Sequence, residues 1–153
     1  MEDTSGVIIY TDGGCSGNPG PGGYAFVLRA TGQDSREVLG SGGEKLTTNN
    51  RMELRAVISA LEEAERVAPG APVVVHTDSQ YVKNGIGSWI VNWKRNGWRT
   101  ADKKPVKNQE LWVELDAVVA RVKPRFVWVK GHAGIEGNER CDSMVQAEIA
   151  KYR

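Results

Sequence analysis

The sequence contains no stretch approaching the ~20 consecutive apolar residues that a membrane span needs. Its first six residues, Met1–Gly6, are polar and acidic rather than a charged-then-apolar leader. Neither an anchor nor a secretory signal is expected, so the expected location is the cytoplasm. Cysteine is scarce: Cys15 and Cys141 are the only two in 153 residues. Without an export signal they are expected as free thiols rather than as a disulfide framework. Net charge is nearly missing as well, at a formal +1. Apart from one short echoed strand-Thr-Asp pattern, no internal repeat, low-complexity tail or linker interrupts the chain. One domain over residues 1–153 is expected, of a size that buries a core without covalent staples.

The charge that is present is unevenly spread. Lys94, Arg95, Arg99, Lys103, Lys104 and Lys107 stand against one acid, Asp102, while Glu62–Glu65 is acidic. A balanced total thus hides one strongly basic segment, which is what a polyanion partner needs.

Apolar patterning outlines the elements. Val7–Tyr10 reads as a buried strand ending in a turn at Thr11-Asp12-Gly13-Gly14. The glycine-rich stretch Gly17–Gly23 leads into a second strand, Tyr24–Arg29, and Arg36–Gly42 reads as a third with the glycines of an edge or bulge. Short connections make these three an antiparallel meander. Asn50–Ala68 is the strongest helix: Met52, Ala56, Val57, Ala60, Leu61 and Ala64 recur at helical spacing before Pro69-Gly70. Val73–Val75 repeats the first pattern and runs into His76-Thr77-Asp78. Helical segments are expected at Tyr81–Gly85, Gly87–Asn96 and Asn108–Val122. A strand follows at Phe126–Val129, and a last helix at Asn138–Lys151 places Cys141, Val145 and Ile149 on one side. Strands first, then helices alternating with strands, imply an α/β fold with a mixed sheet.

Asp12 and Asp78 each sit where an apolar strand gives out. On neighbouring parallel strands they would stand together at the carboxyl edge of the sheet, where open α/β sheets bind ligands. Either could instead cap its turn. Glu53 lies at the start of the apolar stripe of its helix, where a carboxylate needs a partner. That partner is either the helix start, in a capping-box arrangement with Asn50, or a cation. By periodicity Asp142 is an ordinary polar helix residue. If the four acids converge, they suit hard divalent cations, which prefer oxygen ligands and phosphate.

The runs Thr11-Asp12-Gly13-Gly14-Cys15-Ser16-Gly17-Asn18-Pro19-Gly20-Pro21-Gly22-Gly23, Thr47-Thr48-Asn49-Asn50-Arg51-Met52-Glu53-Leu54, Thr77-Asp78-Ser79-Gln80-Tyr81-Val82, Trp128-Val129-Lys130-Gly131-His132-Ala133-Gly134 and Asn138-Glu139-Arg140-Cys141-Asp142 appear in this order. Together they closely resemble the type 1 ribonuclease H family, in its free-standing bacterial form. The resemblance implies a five-stranded mixed sheet, its first three strands antiparallel, flanked by helices. It also implies hydrolysis of the RNA strand of RNA–DNA hybrids, with 5′-phosphate and 3′-hydroxyl ends, by a monomer. Two Mg²⁺ ions are expected with substrate, Mn²⁺ being a substitute. Asp12, Glu53, Asp78 and Asp142 become the metal-binding and catalytic acids, and His132 would assist proton transfer or product release.

Asn18, Asn49 and Gln80 match positions that contact the minor-groove side of the hybrid; their amides can both donate to and accept from a 2′-hydroxyl. Thr48 and Asn50 match positions around a DNA phosphate. A turn for Asn18 and a helix cap for Asn49 or Asn50 are compatible second roles. Trp89, Trp93, Lys94, Arg95, Arg99, Lys103 and Lys104 resemble the basic protrusion of bacterial members, Trp93 being assigned to the DNA groove and Trp98 and Trp112 mostly to structure. Two segments depart from the pattern: Ser143-Met144-Val145-Gln146 after Asp142, and the loop Ala133–Gly137. Two other readings are a catalytically silent hybrid-binding module and a nuclease of the same superfamily acting on DNA.

Overall fold

The computed structural model describes residues 6–32, 35–100, 102–130 and 136–153. Val7, Ile8 and Ile9 open the first strand, as their β-branched side chains favour. This strand does not stop at Tyr10. β1 spans Val7–Cys15 and takes in the residues assigned above to a turn. The reason lies in its partner: β2 (Gly20–Ala30) pairs antiparallel with it without a break, from Val7↔Ala30 to Cys15↔Gly22. β3 (Arg36–Thr47) then pairs antiparallel with β2, forming an edge as its glycines foretold, and extends beyond Gly42.

The chain returns through α1 (Asn49–Val67) to β4 (Val73–Thr77), which lies parallel to β1. α2 (Gln80–Asn84), a π-helical turn at Gly85–Trp89 and α3 (Ile90–Arg95) follow, then α4 (Gln109–Val122), β5 (Arg125–Trp128, parallel to β4) and α5 (Glu136–Lys151). The sheet order is β3-β2-β1-β4-β5, a mixed five-stranded α/β arrangement with its first three strands antiparallel. α5 begins two residues earlier than periodicity indicates, so Glu136 and Gly137 are helical rather than loop.

Strand alternation sends side chains to two cores. On one face Ile9, Phe26, Leu28 and Val75 meet Leu54, Val57, Ile58 and Leu61 of α1, with Trp112 and Leu115 of α4 behind them. Each large side chain fully buried there contributes about 1.5–3 kcal/mol. On the other face Ala25 and Val27 meet Cys141, Val145 and Ile149, the stripe expected on α5. Both thiols are free, and burial pushes Cys141 up to about 12. Among the described residues no helix is long and apolar enough to cross a membrane.

Candidate active site

Because β1 and β4 are parallel and Tyr10 pairs with His76, the two strands deliver Asp12 and Asp78 to the same edge of the sheet, each two residues further on. Glu53 arrives from the first turns of α1. That helix is capped by Thr48, whose hydroxyl accepts from the Arg51 N–H at 3.2 Å, not by Asn49 or Asn50. Glu53 is therefore released from capping. Its Oε1 instead accepts from the backbone N–H of Gly13 on β1 at 3.3 Å, and its Oε2 is enclosed without a hydrogen-bond partner. Ligand oxygens of Asp12, Glu53 and Asp78 all lie within 4.8 Å of one another.

Three carboxylates so close repel. Burial, then Asp12, then Asp78 hold Glu53 well above the ordinary carboxylate range, against the pull of the Gly13 N–H. An enclosed carboxylate oxygen without a donor, beside two more acids, is a site built for a cation. The donor set is hard oxygen, which matches Mg²⁺ or Mn²⁺ rather than a thiophilic metal.

Asp142 is half-buried on α5 and lies outside that trio. It is nevertheless on the right side of the sheet. Asp12 shares a face of β1 with Tyr10 and Gly14, both of which abut α5, at Gly137 and Val145 respectively. The next residue back from Asp142, Cys141, donates through its Sγ to the Tyr10 carbonyl at 3.3 Å and feels the charge of Asp12. His132 lies outside the described residues.

Above the acids opens a cleft of about 430 Å³ lined by Asp12, Gly13, Asn49, Asn50, Glu53, Asp78, Ser79, Gln80 and Tyr81. Asn49, Asn50 and Gln80 are thus gathered as the motifs imply. Asn18 is tied to the same rim, its Oδ1 accepting from the Asn49 N–H at 3.2 Å. Gly13, Ser79 and Tyr81 are lining residues that sequence pattern did not single out. The Ser79 hydroxyl caps α2 by accepting from the Val82 N–H, a spacing the sequence does display. Tyr81 stands in the run Thr77–Val82, which by itself gives it no role in the site. Its hydroxyl accepts from Trp112 Nε1 at 3.0 Å and from Asn108 Nδ2 at 3.1 Å, which fixes the ring as a wall of the cleft.

The RNase H family profile matches residues 4–150. A ribonuclease H of Rhodopseudomonas palustris strain BisB5 is 58% identical over 147 residues, covering 96% of this chain and 94% of that one. The chain belongs to the ribonuclease H family. A ribonuclease H of Treponema denticola is 54% identical, covering 90% of this chain and 93% of its own. Among solved structures, LC9-RNase H1, described as a type 1 RNase H with the type 2 active-site motif, superposes with a TM-score of 0.85 at 30% identity. That match covers 100% of this chain and 76% of LC9-RNase H1. LC11-RNase H1, solved in complex with RNA/DNA hybrid, matches at 0.70 and 28% identity, over 95% and 97% of the two chains.

The aromatic contacts lead outward from the cleft. Tyr81 meets Trp89 at 5.6 Å, Trp89 meets Trp93 at 5.8 Å, and Trp93 meets Trp98 at 6.4 Å. Trp112 is fully buried and structural, whereas Trp89, Trp93 and Trp98 are partly buried against the core. The basic segment folds back on itself, with Val106 N–H donating to the Trp98 carbonyl at 3.2 Å and Thr100 N–H to the Lys104 carbonyl at 2.8 Å. Arg95, Arg99, Lys103 and Lys104 project into solvent. Lys94 is paired with Asp116 of α4 at 3.2 Å, its side chain still largely accessible.

Proposed function

We propose that the chain acts as a single-domain endoribonuclease, a cytoplasmic monomer that hydrolyses the RNA strand of RNA–DNA hybrids and leaves 5′-phosphate and 3′-hydroxyl ends. The observation that carries this reading is the meeting of Asp12, Glu53 and Asp78 beneath a rim of Asn49, Asn50 and Gln80, in a chain of this family. The cofactor is Mg²⁺, replaceable by Mn²⁺, with two ions present when substrate is bound. Bound there, the ions lower the pKa of water and neutralise charge on the phosphate and the leaving oxygen.

The residues do the rest. Asp12, Glu53, Asp78 and Asp142 would hold the ions, whose charge would favour the ionised form of Glu53. Asn18, Asn49 and Gln80 grip the 2′-hydroxyls and sugars of the minor groove, so that RNA is told from DNA without reading bases. Thr48 and Asn50 hold a DNA-strand phosphate. The water oxygen bonds to phosphorus and releases its proton to solvent, the bond from phosphorus to the RNA 3′-oxygen breaks and that oxygen takes up a proton, and His132 assists this proton transfer or the release of product. Trp89, Trp93, Lys94, Arg95, Arg99, Lys103 and Lys104 form the outer grip on the DNA strand, cations holding phosphates and aromatic faces packing on sugars.

Cleavage of matched hybrid, double-stranded RNA and double-stranded DNA in Mg²⁺ tests the reading. Cleavage confined to the RNA of the hybrid is expected. Binding without cleavage would make the chain a silent hybrid-binding module, and equal cleavage of DNA would move its substrate to DNA.

The outer grip is tested separately. Neutralising Arg95, Arg99, Lys103 and Lys104 together should lower hybrid affinity at roughly 0.1 M salt and flatten the slope of log K against log salt. The slope falls by roughly 0.7–0.9 for each phosphate that is no longer neutralised. Lys94, already paired with Asp116, should contribute least. An unchanged slope would remove the segment from the interface.

A further inference from the structure

The first turn of α5 has little apolar anchorage of its own. The apolar seam begins at Cys141 and continues through Val145 and Ile149. Ahead of it, Gly137 lies so close to Tyr10 that an added Cβ would run into the ring, so only backbone meets the sheet there. Asn138, the other buried residue of this turn, is polar, and the contacts that reach from the turn to the strands are ionic. Arg29 of β2 and Glu37 of β3 face each other across the strands, and Arg29 Nε donates to Glu37 Oε2 at 2.8 Å. Arg29 Nη2 reaches both carboxylate oxygens of Glu136, at 2.6 and 2.7 Å. Arg140, one turn after Glu136, donates through Nη1 to Glu37 Oε1 at 2.8 Å. Two helix residues four apart are thereby locked onto two strand residues in register by three ion pairs, and the helix backbone from Glu136 to Arg140 closes the ring.

We propose that Arg29 is a positioning residue of the hydrolysis, fixing the roll of α5 and hence where Asp142 stands relative to Asp12. The proposal rests on the reading that Asp142 belongs to the catalytic set. Arg140 and Asp142 flank Cys141 by about 100° on either side, as 3.6 residues per turn require. A seam of three small or medium side chains resists translation of the helix more than it resists roll. The ring pulls on the flank opposite Asp142, so its loss lets that carboxylate swing. A lone exposed ion pair would do little. Here Arg29 and Glu37 at the centre each hold two partners, so each orders the other for its outer pair, and the Arg29 guanidinium also lies over the Tyr10 ring at 5.6 Å. Tyr10 in turn stacks on His76 at 4.8 Å, which precedes Asp78 by two residues. The ring therefore connects to the strand carrying another of the acids.

The test compares Arg29→Ala, Arg29→Lys, Asp142→Asn and the double variant Arg29→Ala/Asp142→Asn, using hybrid hydrolysis in Mg²⁺ and amide hydrogen exchange of the metal-free protein. Arg29→Ala should lower kcat about tenfold, as small misplacements of catalytic groups do, with KM for hybrid within about twofold. Exchange should quicken at residues 137–142 and stay unchanged at 145–149. Arg29→Lys, which keeps the charge but not the forked geometry, should recover part of kcat. In the Asp142→Asn background the Arg29→Ala change should cost nothing further. An unchanged kcat in Arg29→Ala, or a tenfold loss that persists without the Asp142 carboxylate, overturns the positioning role while leaving the acid set intact. Full activity of Asp142→Asn instead overturns the assignment of Asp142, and the positioning role with it.

Discussion

Replacing Glu53 with glutamine should cut hydrolysis by about 10²-fold or more while making the metal-free protein more stable at neutral pH. The two effects share one cause. Glu53 is held among Asp12 and Asp78 with one oxygen enclosed and unpartnered, so its ionised form is disfavoured in the folded chain. A carboxyl group harder to ionise folded than unfolded gives the folded state its full advantage below the unfolded value, about pH 4.3. That advantage is lost as pH rises through the raised folded value. Neutral pH lies well above the unfolded value, so the wild-type protein is destabilised there by the ionisation its folded state disfavours, and glutamine, which does not ionise, avoids that cost. The stability gain should be on the order of 1 kcal/mol, read as a few degrees in the thermal midpoint in EDTA.

Below about pH 4 the two proteins should converge, since Glu53 is then protonated in both the folded and unfolded states. Adding Mg²⁺ should raise the wild-type midpoint, because an ion that binds only the folded state stabilises it, and should raise the variant's less. Equal midpoints of the two proteins in EDTA, at neutral as well as acid pH, would show that Glu53 is not strained by its neighbours. Unimpaired hydrolysis by the variant would take Glu53 out of the catalytic set.

Adding one methyl group at Gly13 should be at least as damaging, by a different route. A Cβ there would lie 2.5 Å from the Glu53 nitrogen and closer still to the Met52 carbonyl carbon. These are backbone atoms of α1 and cannot rotate away. To admit the methyl, helix and strand must separate, which opens the core and breaks the Gly13 N–H to Glu53 Oε1 hydrogen bond. Gly13→Ala should destabilise the protein by about 3 kcal/mol or more, in the range of severe overpacking. Activity should fall even where the variant remains folded, because Glu53 is carried away from Asp12. Gly87→Ala serves as the control: its added Cβ meets nothing within 4 Å, and the change should be neutral or slightly stabilising. Similar midpoints for the two variants would mean that β1 and α1 tolerate separation.

Much of this architecture is legible in the sequence. The helical spacing of Met52, Ala56, Val57, Ala60, Leu61 and Ala64 marks the buried face of α1, and all six are buried. The stripe Cys141, Val145, Ile149 marks the packing face of α5. The repeated strand-Thr-Asp pattern anticipates two carboxylates at one sheet edge, which the parallel pairing of β1 and β4 delivers. His76, read as structural, stacks on Tyr10. The motifs pointed to the family, and the residues they single out, Asn49, Asn50 and Gln80, do gather with three of the acids.

Local pattern misled where distant backbone intervened. Asp-Gly-Gly reads as a turn, yet uninterrupted pairing with β2 keeps it in the strand. The spacing Asn50 to Glu53 reads as a cap, yet Thr48 caps the helix and Glu53 turns to a strand 40 residues earlier. Arg29, Glu37, Glu136 and Arg140 carry no local mark at all, since their ring exists only once β2, β3 and α5 are assembled.

For the four acids, the residues and their spacing determined which carboxylates stand at strand ends and on helix faces, because periodicity records which side of an element is buried. Only the tertiary structure decided what each one meets. It packed Asp12, Glu53 and Asp78 within 4.8 Å of one another and left Asp142 outside that trio, on α5. Those distances depend on strand register and on glycines thin enough to let helix backbone approach sheet backbone, and both are set by contacts far apart in the chain.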